Sequence, residues 1–181
     1  MGIREHYIDL YRSFYANGGY GDGPHHQVLH ARSSIRRALE VTGSTSMLDY
    51  GCGDGLQYTV YGLREFFPIE ELFCYDPGVL EFSDKPEASK TFDAVISTDV
   101  MEHIPDEVTE EVLAEIFAYA TKMVYFRIAT SRAINMLPNG ENAHCNIKSH
   151  IEWLQLVQKY RSGQYVVVET TGVDEGTTIL Q

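Results

Sequence analysis

Apolar positions along the chain recur with two periods in turn, one of two residues and one near 3.6, so the pattern predicts alternating strands and helices. Around Tyr7 to Tyr15 apolar and aromatic residues fall at helical spacing. The run Asn17-Gly18-Gly19-Tyr20-Gly21-Asp22-Gly23-Pro24 then breaks the pattern and reads as a flexible loop. A second helix is expected from His26 to Val41, with Val28, Leu29, Ile35, Ala38 and Leu39 on its apolar face and Gly43 and Ser44 ending it. Ser46 to Tyr50 reads as a short buried strand running into Gly51-Cys52-Gly53-Asp54-Gly55, followed by a helix from Leu56 to Phe66. Leu72 to Asp76 and Thr91 to Ser97 are two further strands. Pro105 to Ala120 carries Val108, Val112, Leu113, Ile116, Phe117 and Ala120 on one face, with Asp106 and Glu107 near the positive end of the helix dipole. Met123 to Ile128 is the next strand, Thr130 to Lys148 a loop and Ser149 to Tyr160 a helix. Tyr165 to Thr171 is a strand, and Thr177 to Leu180 pairs with it as a hairpin across Asp174-Glu175-Gly176.

This alternation implies an α/β fold of three layers, αβα, around a mostly parallel sheet with a C-terminal antiparallel strand. With no repeat or linker-like tract, the 181 residues read as a single domain. Within it, residues 1–41 form an N-terminal helical or lid segment, 46–128 a core, 129–160 a loop and helix, and 165–181 the closing strands.

Charge and cysteine usage narrow the partners. A net charge of −12 argues against a broad grip on phosphate backbones, so nucleic acid is not the expected partner. Arg32, Arg36 and Arg37 could form a local basic patch, but they read more simply as a solvated helix face. Cys52, Cys74 and Cys145 form no CxxC pair, and their odd count does not suit a disulfide framework. Met1 to Leu10 mixes Arg4, Glu5, His6 and Asp9 with apolar residues, unlike the apolar centre of a signal peptide. No apolar run approaches the roughly 20 residues that cross a bilayer. A cytoplasmic protein without a membrane association is therefore expected.

The candidate chemistry begins at the glycines. Positions 51, 53 and 55 follow a strand and precede a helix, which lets the backbone turn sharply and approach a ligand where a Cβ would collide. An ordinary tight turn gives the same residues. A dinucleotide-binding turn does not, because the third glycine here comes two residues after the second instead of three. Asp49, two residues ahead of the glycines, is placed for a cationic amino-acid ligand. Asp76, ending the next strand, can accept two hydrogen bonds from vicinal ribose hydroxyls.

Together these segments resemble the class I S-adenosylmethionine-dependent methyltransferase family, with its Rossmann-like fold. Leu48-Asp49-Tyr50-Gly51-Cys52-Gly53-Asp54-Gly55 is similar to the family's first motif and Tyr75-Asp76-Pro77 to its second. Phe92 to Ser97 with Asp99-Val100-Met101-Glu102-His103-Ile104 is similar to the fourth-strand motif. The resemblance covers Met47 to Ile128. It implies an enzyme of the transferase class that takes S-adenosylmethionine and releases S-adenosylhomocysteine. It also implies that Gly51, Cys52 and Gly53 line the methionine and sugar, that Asp76 holds the ribose, and that Asp99, Val100 and Met101 border the cofactor. Asp49, Tyr50 and Pro77 belong to the same cofactor-binding set. The stretch from Asp76 to Phe92 is too short for the helix and strand the family normally fits there, so a sheet lacking that third, edge strand is expected. Asp84 or Ser83 is the candidate for the adenine amino group.

Tyr11, Tyr20 and Gly21 fall where the family often places a lid, and Tyr20 is counted with the cofactor contacts. A sulfonium donor needs alignment and exclusion of water more than it needs acid–base help, so a base matters only for a protonated acceptor. His103 and His144 are the catalytic candidates for that role. The loop Asn135 to His144 follows the fifth strand, and ligands of open α/β sheets bind beyond such strand ends. Asn142, His144 and Trp153 are therefore the candidate acceptor contacts. His144, Cys145 and His150 fit no standard zinc spacing, so no metal is expected. The leading reading is methyl transfer to an O, N or C atom of a small-molecule acceptor. A nucleic-acid methyltransferase and a non-catalytic cofactor-binding partner protein remain as alternatives.

Overall fold

Runs of two-sided apolar residues are what a doubly covered sheet requires, and the computed structural model, which describes residues 2–18 and 28–181, builds one from them. Strands β1 (Ser46–Tyr50), β2 (Glu71–Tyr75), β3 (Phe92–Thr98), β4 (Ala120–Ala129) and β5 (Tyr165–Thr171) pair in parallel. Strand β6 (Gly176–Leu180) closes the sheet antiparallel to β5, giving the order β2-β1-β3-β4-β5-β6. Successive side chains point to opposite faces, which divides each strand between two cores. Leu48, Val95, Val124, Phe126, Val166 and Val168 meet helices α5 (Asp106–Tyr119) and α6 (His150–Tyr160) on one side. Met47, Ala94, Ile96, Met123, Tyr125 and Val167 meet helix α2 (Val28–Thr42) on the other. This is the expected three-layer αβα arrangement.

Two local outcomes differ from the sequence expectation in detail. The helix expected over Leu56 to Phe66 is two single turns, α3 (Leu56–Thr59) and α4 (Leu63–Phe66), because Gly62 between them has φ 73°, a left-handed conformation that ends regular helix. Strand β4 begins at Ala120, directly after Tyr119 ends α5, three residues earlier than its apolar pattern suggested. As expected, the family's third, edge strand is lacking: between β2 and β3 the chain makes only a 3-10 turn, Leu80–Phe82, and β2 forms the sheet edge. None of the helices among the described residues is long and apolar enough to cross a membrane. Arg36 of the basic trio pairs with Glu40 at 2.9 Å and lies over the Phe66 ring, as a helix-face residue does.

Helix α1 (Ile3–Ala16) stands outside both cores. Its Phe14 packs with Leu137 and Ala143 of the loop between β4 and α6, joined by Tyr7, Leu10 and Tyr11. That third, small cluster lies beyond the carboxyl ends of the strands and roofs them. Helix α6 starts with a capping box, in which the Ser149 side chain accepts from the Glu152 N–H and the Glu152 side chain reaches back to the Ser149 N–H.

Leu48 is fully buried between β1 and α5. Leu48→Ala should cost about 2–5 kcal/mol through lost burial and a residual cavity. Urea denaturation followed by the fluorescence of the single tryptophan, Trp153, measures it; a cost below about 1 kcal/mol would contradict this packing.

Candidate functional site

The site forms where β1 and β3 leave the sheet side by side. At the end of β1, Gly51 adopts φ 91°, and a Cβ built there would lie 2.2 Å from Val100 Cγ2. Only glycine fits. Gly51 N–H and Cys52 N–H both donate to the Tyr75 carbonyl, at 2.7 and 3.2 Å, which ties the turn to the end of β2. Asp76 follows, and its carboxylate accepts from Gly53 N–H at 2.9 Å and Gly78 N–H at 2.8 Å, one oxygen each. Each oxygen keeps a further lone pair, and the group lines a cavity of about 110 Å³. Burial raises the proton affinity of Asp76, while the N–H groups of Gly78, Gly53 and Val79 oppose it.

The floor of that cavity comes from Tyr50, Gly51, Asp76, Pro77, Asp99 and Val100, and its roof from Tyr7, Ile8, Tyr11 and Tyr15 of α1. His103, Ile104 and Pro105 continue its wall away from the glycines. Six of the eleven proposed cofactor contacts therefore face one space. Cys52 and Gly53 lie in the turn beside it, and Tyr15 Oη sits 3.8 Å from where a Gly53 Cβ would be. Asp49 is placed otherwise: it is buried behind the turn, where Oδ2 accepts from Tyr58 Oη at 2.8 Å and Gln57 Nε2 at 3.2 Å. Its burial, helped by the Asp76 charge, pushes it up to about 6, and Oδ1 has no hydrogen-bond partner. Met101 is also fully buried, packed in the α5 core. Tyr20 and Gly21 lie outside the described residues. Ser83, offered for adenine, turns its hydroxyl to the Leu80 carbonyl at 2.9 Å.

Asp99 is the only described non-glycine residue with positive φ, at 52°. Its N–H donates to Arg127 O at 2.8 Å and its carboxylate pairs with Arg127 at 3.1 Å, so the turn after β3 is fixed to β4. Burial pushes Asp99 up to about 6 despite Arg127.

The two catalytic candidates come together. His103 and His144 stand ring to ring, centroids 4.8 Å apart and planes at 79°. Nδ1 of His103 lies 2.8 Å from the Ala143 carbonyl, and Nδ1 of His144 lies 2.5 Å from the Ser131 carbonyl. A carbonyl only accepts, so both Nδ1 atoms carry the proton and both Nε2 atoms expose a lone pair in the neutral rings. Burial, then the neighbouring His144, pushes His103 down to about 4, although the bond to Ala143 opposes this. His103 is therefore neutral at pH 7. Tyr11 Oη donates to the same Ala143 carbonyl at 2.6 Å and stands 2.8 Å from His103 Nδ1, joining the lid to the histidine.

The other acceptor candidates are structural. Asn142 spends its amide on the loop itself, accepting from Ala133 and His144 N–H groups and donating to the Ala133 carbonyl. It positions His144. Trp153, expected as a wall, is corrected to a core residue: it is fully buried under the sheet with α5 and α6. His150 uses both ring nitrogens on Thr170 and Thr178, at 2.9 and 2.8 Å, and so takes no part with His144.

Sequence reasoning missed what holds the roof down. Arg4 binds Glu115 of α5 through both ends of its guanidinium at 2.9 Å and reaches Tyr50 Oη at 3.2 Å. Tyr50 Oη donates to Glu115 at 2.8 Å, and Lys85 also pairs with Glu115. No local pattern marks four residues so far apart in sequence as partners.

A family model described as a methyltransferase domain matches residues 25–170. Among solved structures, one similar chain is the 1,6-didemethyltoxoflavin-N1-methyltransferase of Burkholderia thailandensis, with bound 1,6-didemethyltoxoflavin and S-adenosylhomocysteine. It is 16% identical with a TM-score of 0.55, over 93% of this chain and 82% of that one. A chain of the complex formed by the Haloferax volcanii Trm112 methyltransferase activator is also 16% identical, with a TM-score of 0.50 over 90% and 77%. At that identity both show a shared fold. No curated protein matches the chain.

Burial pushes Glu115 up, but Arg4, Lys85 and Tyr50 outweigh it and bring the group down from 4.5 to about 2. A depressed carboxylate stabilises fully above its unfolded value, and that contribution disappears as pH falls through the folded one. The melting temperature should therefore drop between about pH 4.5 and about 2 in part through this residue. Glu115→Gln should flatten the profile in that window, as calorimetric melts would record; an unchanged profile would remove Glu115 from the roof's anchorage.

Proposed function

The chain belongs to the methyltransferase-domain family, and from that premise we propose that it methylates a nucleophilic atom of a small-molecule acceptor held beneath α1. The cofactor is S-adenosylmethionine, leaving as S-adenosylhomocysteine. The observation that carries the reading is the single cavity that runs from the glycine turn and Asp76 to His103 under one helix.

The residues fit the cofactor. Gly51 has no room for a side chain, so the backbone at the turn is the surface a ligand meets. Asp76 keeps acceptor capacity for two ribose hydroxyls after binding Gly53 and Gly78. Bound there, the cofactor supplies an activated methyl group on a sulfonium centre. The protein's task is then to align an acceptor and exclude water. Tyr7, Ile8, Tyr11, Ile104 and Val108 give the acceptor half an apolar and aromatic lining suited to a compact body with few charges. His103 lines that end with His144 against it, and its neutral ring, held at Nδ1 by the Ala143 carbonyl, can relieve an O–H or N–H acceptor of its proton. The Burkholderia protein, which is named for a small-molecule acceptor, and the net charge of −12 both favour a small molecule over nucleic acid.

Calorimetric titration should give micromolar binding of S-adenosylmethionine and S-adenosylhomocysteine and none of NAD. Asp76→Asn should weaken it at least about tenfold, about 1.4 kcal/mol. With methyl-labelled cofactor and a cell extract, label should enter the small-molecule fraction. Label confined to nucleic acid or protein would overturn the acceptor class, and absent binding would overturn the site.

A further inference from the structure

One proton needs one base, yet three donor groups gather at and behind His103 in the cavity wall. Glu102, in the turn after β3, is fully buried. Its Oε1 accepts from Ala129 N–H at 3.0 Å. Beside Glu102 lies a second carboxyl, that of Asp99, bonded to it side chain to side chain. His103 follows in sequence, and His144 is brought against it by the loop between β4 and α6. One ligand-capable atom from each of Glu102, His103 and His144 lies within 4.8 Å of the others.

Each imidazole is already arranged as a metal ligand is. Its Nδ1–H is held by a backbone carbonyl, of Ala143 in one case and Ser131 in the other, which fixes the ring and leaves Nε2 as the donor. Of the two buried carboxyls in contact only Asp99 is paired with a cation, Arg127, so the Glu102 carboxyl and the two imidazoles gather ligand atoms with no cation of their own.

We propose that Glu102, His103 and His144 bind a divalent first-row transition metal beside the cavity, at the wall that His103 forms. Two imidazoles and a carboxylate suit zinc, iron or cobalt better than magnesium or calcium, which prefer all-oxygen sets. Bonds of about 2.0–2.2 Å to one ion require only a modest closing of the three side chains. Three protein ligands leave coordination positions open to an acceptor oxygen or nitrogen. This rests on the methyltransferase reading and replaces proton abstraction by the imidazoles: an acceptor bound to the metal would lose its proton to solvent at neutral pH, as metal-bound water does, and the freed electron pair would form the new bond to the methyl carbon. The electrons of the broken carbon–sulfur bond remain on sulfur, so no oxidant or reductant is consumed.

The test uses untagged, chelator-treated protein titrated with Co²⁺, read by visible ligand-field absorption and by calorimetry, with neither cofactor nor acceptor present. Wild type should take one equivalent. His144→Ala, on a surface loop, and Glu102→Gln should each weaken binding by at least about tenfold, and His150→Ala should not. Circular dichroism melts and S-adenosylhomocysteine binding establish that His144→Ala is folded with its cofactor half intact. No stoichiometric uptake by wild type, or equal uptake by His144→Ala, would overturn the metal site and leave the cofactor reading standing; loss of S-adenosylhomocysteine binding by wild type would instead strike that reading.

Discussion

The contact on which the rest of the site depends is the approach of Gly51 to Val100. Gly51, the first residue beyond β1, lies against the side chain of Val100, the second beyond β3, at a separation that a methyl group on Gly51 would violate. Because of that contact the two turns sit side by side over the sheet's carboxyl end, and everything functional is hung on one or the other. Gly53 and Asp76 belong to the β1 side, bonded to each other; Asp99, Glu102 and His103 belong to the β3 side. The left-handed Asp99 allows the second turn to bend as sharply as the first, and the Arg127 pair holds it there.

A site open at the sheet end would leave its ligands in water. Helix α1 closes it, and the manner of closing is unusual in combining a charged anchor with an aromatic one. Arg4, Glu115, Lys85 and Tyr50 form a part-buried network at one end of the helix, whereas Tyr11 and Phe14 pack on the loop between β4 and α6 at the other. Tyr11 shares the Ala143 carbonyl with His103, so the position of the roof and the tautomer of the histidine are settled by the same oxygen. Helix α1 and His103 are thereby tied together through one backbone atom.

Polar economy separates working residues from supporting ones. Asn142 and His150 satisfy themselves locally and serve the architecture. Glu102 instead has one oxygen on the Ala129 N–H and a second carboxyl, Asp99, as its side-chain neighbour, directly before His103 in the cavity wall.

By itself the sequence determined the alternation of elements, the glycine turn, the acid that follows β2 and the missing edge strand, because these rest on local periodicity and on residue types whose backbone limits are intrinsic. The breadth of the β2–β3 interval was equally legible, since chain length alone forbids a strand and helix there. The tertiary structure decided what depends on distant pairings. It put Asp49 behind the turn and Met101 and Trp153 into the cores, since burial is a property of the packed whole. It split the stretch after the glycines at Gly62, where a left-handed residue was compatible with either reading. It brought His144 to His103 across 41 residues of chain and Arg4 to Glu115 across 111, contacts that no spacing announces because they join segments whose docking is set by the whole packed fold.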